Sequence, residues 1–283
     1  MNLDDMACVG ITDNIIISST IGRNKSVIPG EVIGEVINGT MDFLQTMQEN
    51  GVNIHHAGGE TADVGDIVRT IDVGITAFGR IKKSELIIND IKPGNVIVAL
   101  ASYGKATYEQ EYNGGMGSNG LTSARHDVFS KIYAEKYPES FNPAIPDEVV
   151  YTGSKLVTDE ISIGKTNTDI GKLVLSPTRT YLPILKTILD QFRKNISGII
   201  HCSGGGQTKV LHFIDDVHII KNNLLPVPPL FKIIQEESKT DWKEMFRVFN
   251  MGHRLEFYTD EKTAEEIIAV SYTHLRAHET VLD

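Results

Sequence analysis

Three stretches carry residue types from which phosphate chemistry can be built. In Gly58-Gly59-Glu60-Thr61-Ala62-Asp63, paired glycines precede a carboxylate, a hydroxyl and a second carboxylate. Hard oxygen ligands spaced this way suit Mg2+ shared with nucleotide phosphates; a polar turn between strands is the alternative. The second stretch, Gly115-Met116-Gly117-Ser118-Asn119-Gly120, fits G-x-G-x-x-G and runs into LTSARHDVF, which reads as the start of a helix. The third, Ser203-Gly204-Gly205-Gly206, lies between the apolar strand GIIHC and the segment TKVLHFI, another glycine turn at a helix start and apt for an anion.

GMGSNG fails as a dinucleotide-binding turn. Such a turn follows its strand at once, with an acidic residue about 20 positions on at the end of the next strand. Here the strand NVIVALAS ends at Ser102, and Gly115 comes only after YGKATYEQEYNG. The corresponding downstream stretch is YPESFNPAIPDE, which is no strand end. Two readings stay open: glycines that merely permit positive φ, or a loop presenting N–H groups to a phosphate.

Other reactive side chains make weaker patterns. Asp4 and Asp5 are adjacent on an opening helix, point in different directions and by themselves read as solvated charges. His55 and His56 alternate across a strand and cannot both face one ion. His201-Cys202 has no second spaced pair and no partner triad, so neither a zinc site nor a cysteine nucleophile is implied.

The elements that must position these groups alternate. IPGEVIGEVINGTMDFLQTMQENG is a helix with Pro29 in its first turn and Gly51 past its end. Its Val32, Ile33, Val36, Ile37, Thr40, Leu44 and Met47 predict one core-facing stripe. VNIHHA reads as a strand running into GGETADVGD, and DIVRTIDVGITAFGRI as one long strand or two. Lys92-Pro93-Gly94-Asn95 is the best candidate domain boundary. Beyond it lie the strand NVIVALAS, the glycine loop, a helix LTSARHDVFSKIYAEKY, a strand KLVLS, a helix TYLPILKTILDQFR, the strand GIIHC, helices around Phe231 and Trp242, the strand HRLEFYT and a last helix EKTAEEIIAV. The expectation is a mixed α/β or α+β fold in two domains.

Composition bounds the function. At 283 residues the chain can hold two domains. A formal net charge of −10 argues against nucleic-acid and anionic-membrane partners, while leaving room for a local basic phosphate pocket. Cys8 and Cys202 form no CxxC and read as reduced thiols of a cytoplasmic protein. No apolar run is long enough for a membrane helix. The closing stretch SYTHLRAHETVLD, residues 271–283, reads as a non-native, loosely held tail.

In order, MNLDDMACVG, GVNIHHAGGETADVGD, PGNVIVALASYG with GSNGLTSAR, IIHCSGGG and VFNMGHRLEF resemble the aminoimidazole ribonucleotide synthetase (phosphoribosylformylglycinamidine cyclo-ligase) family over about residues 1–270. The resemblance implies a two-domain fold: residues 1–92 as the remainder of an ATP-binding and dimerisation domain, residues 93–270 as a domain with a mixed sheet flanked by helices. It implies ATP-dependent ring closure of formylglycinamidine ribonucleotide, with Mg2+, in a cytoplasmic homodimer. It assigns Asp5 and Glu60 as Mg2+–phosphate ligands, with Thr61 and Asp63 in support and Gly58-Gly59 in the same segment. Ser118, Asn119 and Gly120 would hold a phosphate or the substrate amide, and Gly204, Gly205 and Gly206 a second anion.

The departures from the family pattern place the chain on a divergent branch. Gly117 stands where the family has histidine, Lys105 to Gly115 is an insertion, and His253-Arg254 replaces a smaller pair after Asn-Met-Gly. The family's D-G-x-G-T-K segment would lie upstream of Met1, which implies a piece with weak ATP binding and no turnover of its own. The alternatives are another ATP enzyme of the superfamily with a different acceptor, or a binding protein that keeps the fold.

Overall fold

A computed structural model describes residues 1–274. The described chain forms two compact units, the smaller comprising Asn2–Leu86 with Tyr181–Thr187 and the larger Ile87–Thr180 with Ile188 onward and Met1.

The smaller unit starts with α1 (Asn2–Cys8) and β1 (Ile15–Arg23), followed by α2 (Gly30–Glu49), β2 (Ile54–Asp63) and β3 (Ile71–Phe78). β1 pairs in parallel with β2 and antiparallel with β3, giving the order β2-β1-β3. Parallel neighbours need a long crossover, and the 20-residue α2 provides it. Alternate residues of β1 are buried, Ile15, Ile17 and Ile21, as period-two geometry requires for a sheet with one covered face. Three expectations change here. Within α2 only Leu44 and Met47 are buried, while Val32 and Ile37 are exposed, so the apolar stripe is covered at one end of the helix only. GGETAD lies inside β2 and is not a turn. β3 is a single strand shorter than the β-branched run that predicts it.

The larger unit contains β4 (Val96–Ala101), α3 (Leu121–Val128), α4 (Ile132–Lys136), β5 (Glu160–Ile163), β6 (Thr166–Asp169), α5 (Ile170–Val174), α6 (Leu182–Phe192; its first residues group with the smaller unit), β7 (Ile196–His201), α7 (Pro229–Ser238), α8 (Trp242–Val248), β8 (His253–Thr259) and α9 (Glu261–His274). Its main sheet has the order β4-β8-β7, and both pairings are antiparallel, which corrects the expected mixed sheet. Every residue of the central β8 is buried.

One apolar core gathers Met116, Ala124, Val128, Leu230, Phe231, Ile234, Met245 and Phe249, tying the glycine loop and α3 to α7 and α8. Full burial of a side chain such as Phe231 contributes roughly 2–3 kcal/mol.

The first three residues of KLVLS, expected as a strand, instead complete α5, which the Asp169 side chain caps by accepting from Lys172 N at 2.7 Å. The single helix expected after the glycine loop is two. Phe129 and Ser130 leave helical geometry to bridge Lys155 and Gly153. α9 continues past Val270 to His274; Ser271 is buried and Thr107 N donates to His274 O at 3.0 Å, so residues 271–274 are held. The rest of the tail lies outside the described residues.

Candidate functional site

In the smaller unit the paired glycines shape the strand. Gly58 has φ 100°, and the β1–β2 register shifts between Ile17 and Ser19. A Cβ on Gly59 would overlap the Ser19 carbonyl, so only glycine lets the strands close at this irregularity. Beyond it, Glu60 and Thr61 pair with Thr20 and Ile21. Successive residues of a strand face opposite sides, so Glu60 lies on one face while Thr61 and Asp63 lie on the other. Glu60, Thr61 and Asp63 are exposed. Asp63 is engaged by Lys25, whose amide donates to Oδ1 at 3.2 Å and whose Nζ is 3.1 Å from Oδ2. Those hydrogen bonds, the backbone one foremost, hold its carboxyl below the usual range.

Asp4 and Asp5 divide sharply. Asp4 is fully buried and its Oδ1 accepts from Tyr181 N at 2.8 Å, which corrects its reading as a solvated charge. Asp5 is exposed on α1, which packs against β3, whereas Glu60 is on β2 at the other edge of the sheet. Among the described residues no three His, Cys, Asp or Glu side chains cluster as a metal site. Asp5 and Glu60 therefore offer single carboxylates, a donor set that fits Mg2+ only where phosphate and water oxygens complete the shell. His56 Nε2 meets Ser19 Oγ at 3.1 Å and His55 Nε2 meets Asn53 Oδ1 at 2.7 Å, both ordinary local partners.

In the larger unit the two glycine loops meet. Gly115, Gly117 and Gly120 have φ of 85°, 68° and 82°, and Gly120 caps α3 in the left-handed region. Among the described residues the amides of Ser118, Asn119 and Gly120 donate to no backbone carbonyl. A Cβ on Gly204 would lie 3.2 Å from Asn119 Nδ2, so the Ser203–Gly206 loop faces the Ser118–Gly120 loop directly. Between them is a narrow cleft with a cavity volume of only about 10 Å³, whose walls include Gly117, Ser118, Asn119, Ser203, Asn250 and Arg254. Hydroxyls, amides, unsatisfied N–H groups and one guanidinium make a donor set that suits phosphate oxygens. Gly206 serves packing: φ is 50°, and a Cβ would come within 2.6 Å of the Phe246 and Phe249 carbonyls.

Asn250 joins the parts. Its Oδ1 accepts from Ser102 Oγ at 2.6 Å and Gly252 N at 3.1 Å, and its Nδ2 donates to Gly115 O at 2.8 Å. One buried amide thus fastens the end of β4, the root of the glycine loop and the turn entering β8. Sequence reading did not single it out, although it sits in the quoted VFNMGHRLEF; a lone Asn carries no spacing signal.

The family model "AIR synthase related protein, N-terminal domain" matches residues 1–81. Phosphoribosylformylglycinamidine cyclo-ligase of Methanococcus vannielii is 31% identical over 273 residues, covering 96% of this chain and 65% of that protein. The chain is thus similar to AIR synthase-related proteins, by family model over residues 1–81 and to the cyclo-ligase along nearly its whole length. The cyclo-ligase of Methanocaldococcus jannaschii is 30% identical, over 96% of this chain and 65% of the relative. The chain thus spans just under two thirds of the length of these relatives.

Solved structures share the fold at low identity. Escherichia coli HypE, a hydrogenase maturation protein, has a TM-score of 0.58 at 16% identity, over 96% of this chain and 67% of that one. Thiamine monophosphate kinase from Aquifex aeolicus has a TM-score of 0.52 at 12% identity, over 92% and 70%. HypE in complex with ATP has a TM-score of 0.55 at 15% identity, over 97% and 65%. These likenesses agree with the expected mixed α/β, AIR synthetase-like fold. No described helix is long and apolar enough to cross a membrane.

Proposed function

We propose that this chain acts in the ATP-dependent ring closure of formylglycinamidine ribonucleotide to aminoimidazole ribonucleotide, ADP and phosphate. The observation that carries the reading is the cyclo-ligase likeness at about 30% identity along nearly the whole chain. An amide oxygen leaves poorly, and Mg·ATP, when bound, supplies the phosphoryl group that makes it a leaving group. The protein's part is positioning and charge neutralisation, which requires no covalent nucleophile.

In this reading Ser118, Asn119 and Gly120 orient a phosphate or the substrate amide through hydroxyl, carboxamide and backbone N–H groups. Gly204 and Gly205 complete the cradle from the opposite wall, with Gly206 fixing its floor. Asp5 and Glu60 lend carboxylate oxygens to phosphate-bound Mg2+; Thr61 supports from the second face of β2, and Asp63 holds the β1–α2 connection through Lys25. Residues 1–92 and 93–270 form the two functional domains of a cytoplasmic homodimer.

A second reading has its own support in the HypE and thiamine monophosphate kinase likenesses. It keeps ATP and changes the acceptor, or keeps the fold as a binding protein. Measuring ADP release with formylglycinamidine ribonucleotide, with thiamine monophosphate and with no acceptor separates these. Release that depends on formylglycinamidine ribonucleotide is expected; release with another acceptor alone would replace the cyclo-ligase reading.

A further inference from the structure

Between the short 3-10 helix Gly206–His212 and α7, the chain crosses the β4-β8-β7 sheet as a strap without joining it. Ile214 and Ile219 pack against a cluster that includes Ile200 of β7 and Tyr258 of β8. Among the described residues, 214–222 make no backbone–backbone hydrogen bond. Asp216 takes a φ of 55° near one end, and Pro226, Pro228 and Pro229 stiffen the other. Packing beneath the strap is loose. A cavity of about 340 Å³ lies between it and the Lys92–Asn95 turn, lined by Ile91, Ile97, Val217, Ile219 and Tyr258. A second, of about 30 Å³, lies further along, against Leu224, Leu225, His253 and Glu256. Close-packed interiors hold few voids larger than a water molecule, so burial alone does not fasten this segment.

One side chain supplies what packing does not. Lys221 turns inward, and its Nζ donates to Gln207 O at 2.8 Å, Gln207 Oε1 at 3.2 Å and Glu256 Oε1 at 2.5 Å. An ammonium has three N–H groups, and each finds an acceptor here. The receptacle is held by groups outside the strap. Glu256 accepts from His253 Nε2 at 3.0 Å and Tyr258 OH at 2.7 Å. Gln207 Nε2 donates to Asn250 O at 2.6 Å and His253 O at 3.0 Å. Both Gln207 and Glu256 are buried. His253 Nδ1 is buried without a partner among the described residues, and opening of the strap would hydrate it.

We propose that residues 214–222 are a lid over this face of the sheet, and that Gln207 and Glu256 form a primary-ammonium site which Lys221, the latch, fills from within the chain. Three acceptors converging on one point suit a compact ammonium better than a planar guanidinium, whose donors spread over a fork. The proposal stands on the lid and its receptacle alone and is independent of the cyclo-ligase reading.

The test is limited digestion with thermolysin, with cleavage beside Ile219, Ile220 and Leu224 followed by mass spectrometry. Lys221→Ala should raise cleavage there roughly tenfold or more, the change in open population for losing one hydrogen bond to a charged group, with cleavage elsewhere unchanged. Propylammonium should slow it again. Tetramethylammonium, of equal charge but without N–H groups, should not. Strap cleavage in Lys221→Ala within twofold of wild type would overturn the latch. Equal protection by the two cations, or none by either, would overturn the ammonium site. Should Lys221→Ala be cleaved throughout because it fails to fold, the wild type decides. Strap cleavage at urea concentrations well below global unfolding supports the lid, and strap cleavage that begins only with global unfolding overturns it.

Discussion

The carboxylate of Glu256, fully buried on β8, lies 2.5 Å from Lys221 Nζ. It also accepts from His253 Nε2 at 3.0 Å and Tyr258 OH at 2.7 Å. Burial alone would raise its titration, but the His253 hydrogen bond and the Lys221 charge outweigh that and hold it at about 2. Burial, then the neighbouring Glu256 charge, pushes the Tyr258 hydroxyl far up, so it stays a donor.

Stability should follow this carboxylate. Its folded value of about 2 is below the ordinary 4.5, so its contribution is complete above about pH 4.5 and is lost as pH falls from there towards 2. Urea melts across that window should show a steep decline in the wild type and a shallower one in Glu256→Gln. At pH 7 that variant should be less stable by roughly 3–5 kcal/mol, because Lys221 is left buried without its partner. Glu256→Gln combined with Lys221→Met should recover part of the loss; strict additivity of the single changes would show that the two groups are not coupled.

The glycines of the third stretch should separate by role. Gly206→Ala forces a positive φ on alanine and a Cβ 2.6 Å from two carbonyls, and should cost on the order of 2–4 kcal/mol. Gly204→Ala meets only Asn119 Nδ2 at 3.2 Å and has no positive φ. Its thermal midpoint should stay near wild type while phosphate binding at the cleft weakens. Equal destabilisation by both changes would contradict this division.

Asp4 and Asp5 give a paired control. Asp4→Ala leaves the Tyr181 amide without its acceptor and should destabilise by about 1–3 kcal/mol. Asp5→Ala, at an exposed position, should change stability by far less and act on nucleotide binding instead. Calorimetric unfolding of the two variants, with and without Mg·ATP, reads both effects.

Glu60→Gln retains the strand and removes the exposed charge. If Glu60 shares Mg2+ with phosphate, the variant should weaken Mg·ATP binding roughly tenfold or more with an unchanged melting temperature. Identical isothermal titration curves would take Glu60 off the ligand set.

Much of the fold was legible because backbone physics acts locally. The apolar runs of β4 and β7, the length and Pro29 entry of α2, and the glycine turns at positions 115–120 and 203–206 follow from side-chain period, proline's fixed φ and glycine's freedom at positive φ. The order of motifs also carried the resemblance to the cyclo-ligases. What only tertiary structure decided was the company each side chain keeps. Adjacent Asp4 and Asp5 differ entirely because one meets the Tyr181 amide, 177 positions away. Gly58 and Gly59 form a strand irregularity because β1 approaches there, a contact that the sequence of β2 cannot display. KLVLS has strand composition, yet its first three residues join the short helix that Asp169 caps. Arg254 packs against Gly117 because β8 runs behind the glycine loop, and spacing along a chain holds no record of which strand passes behind which loop.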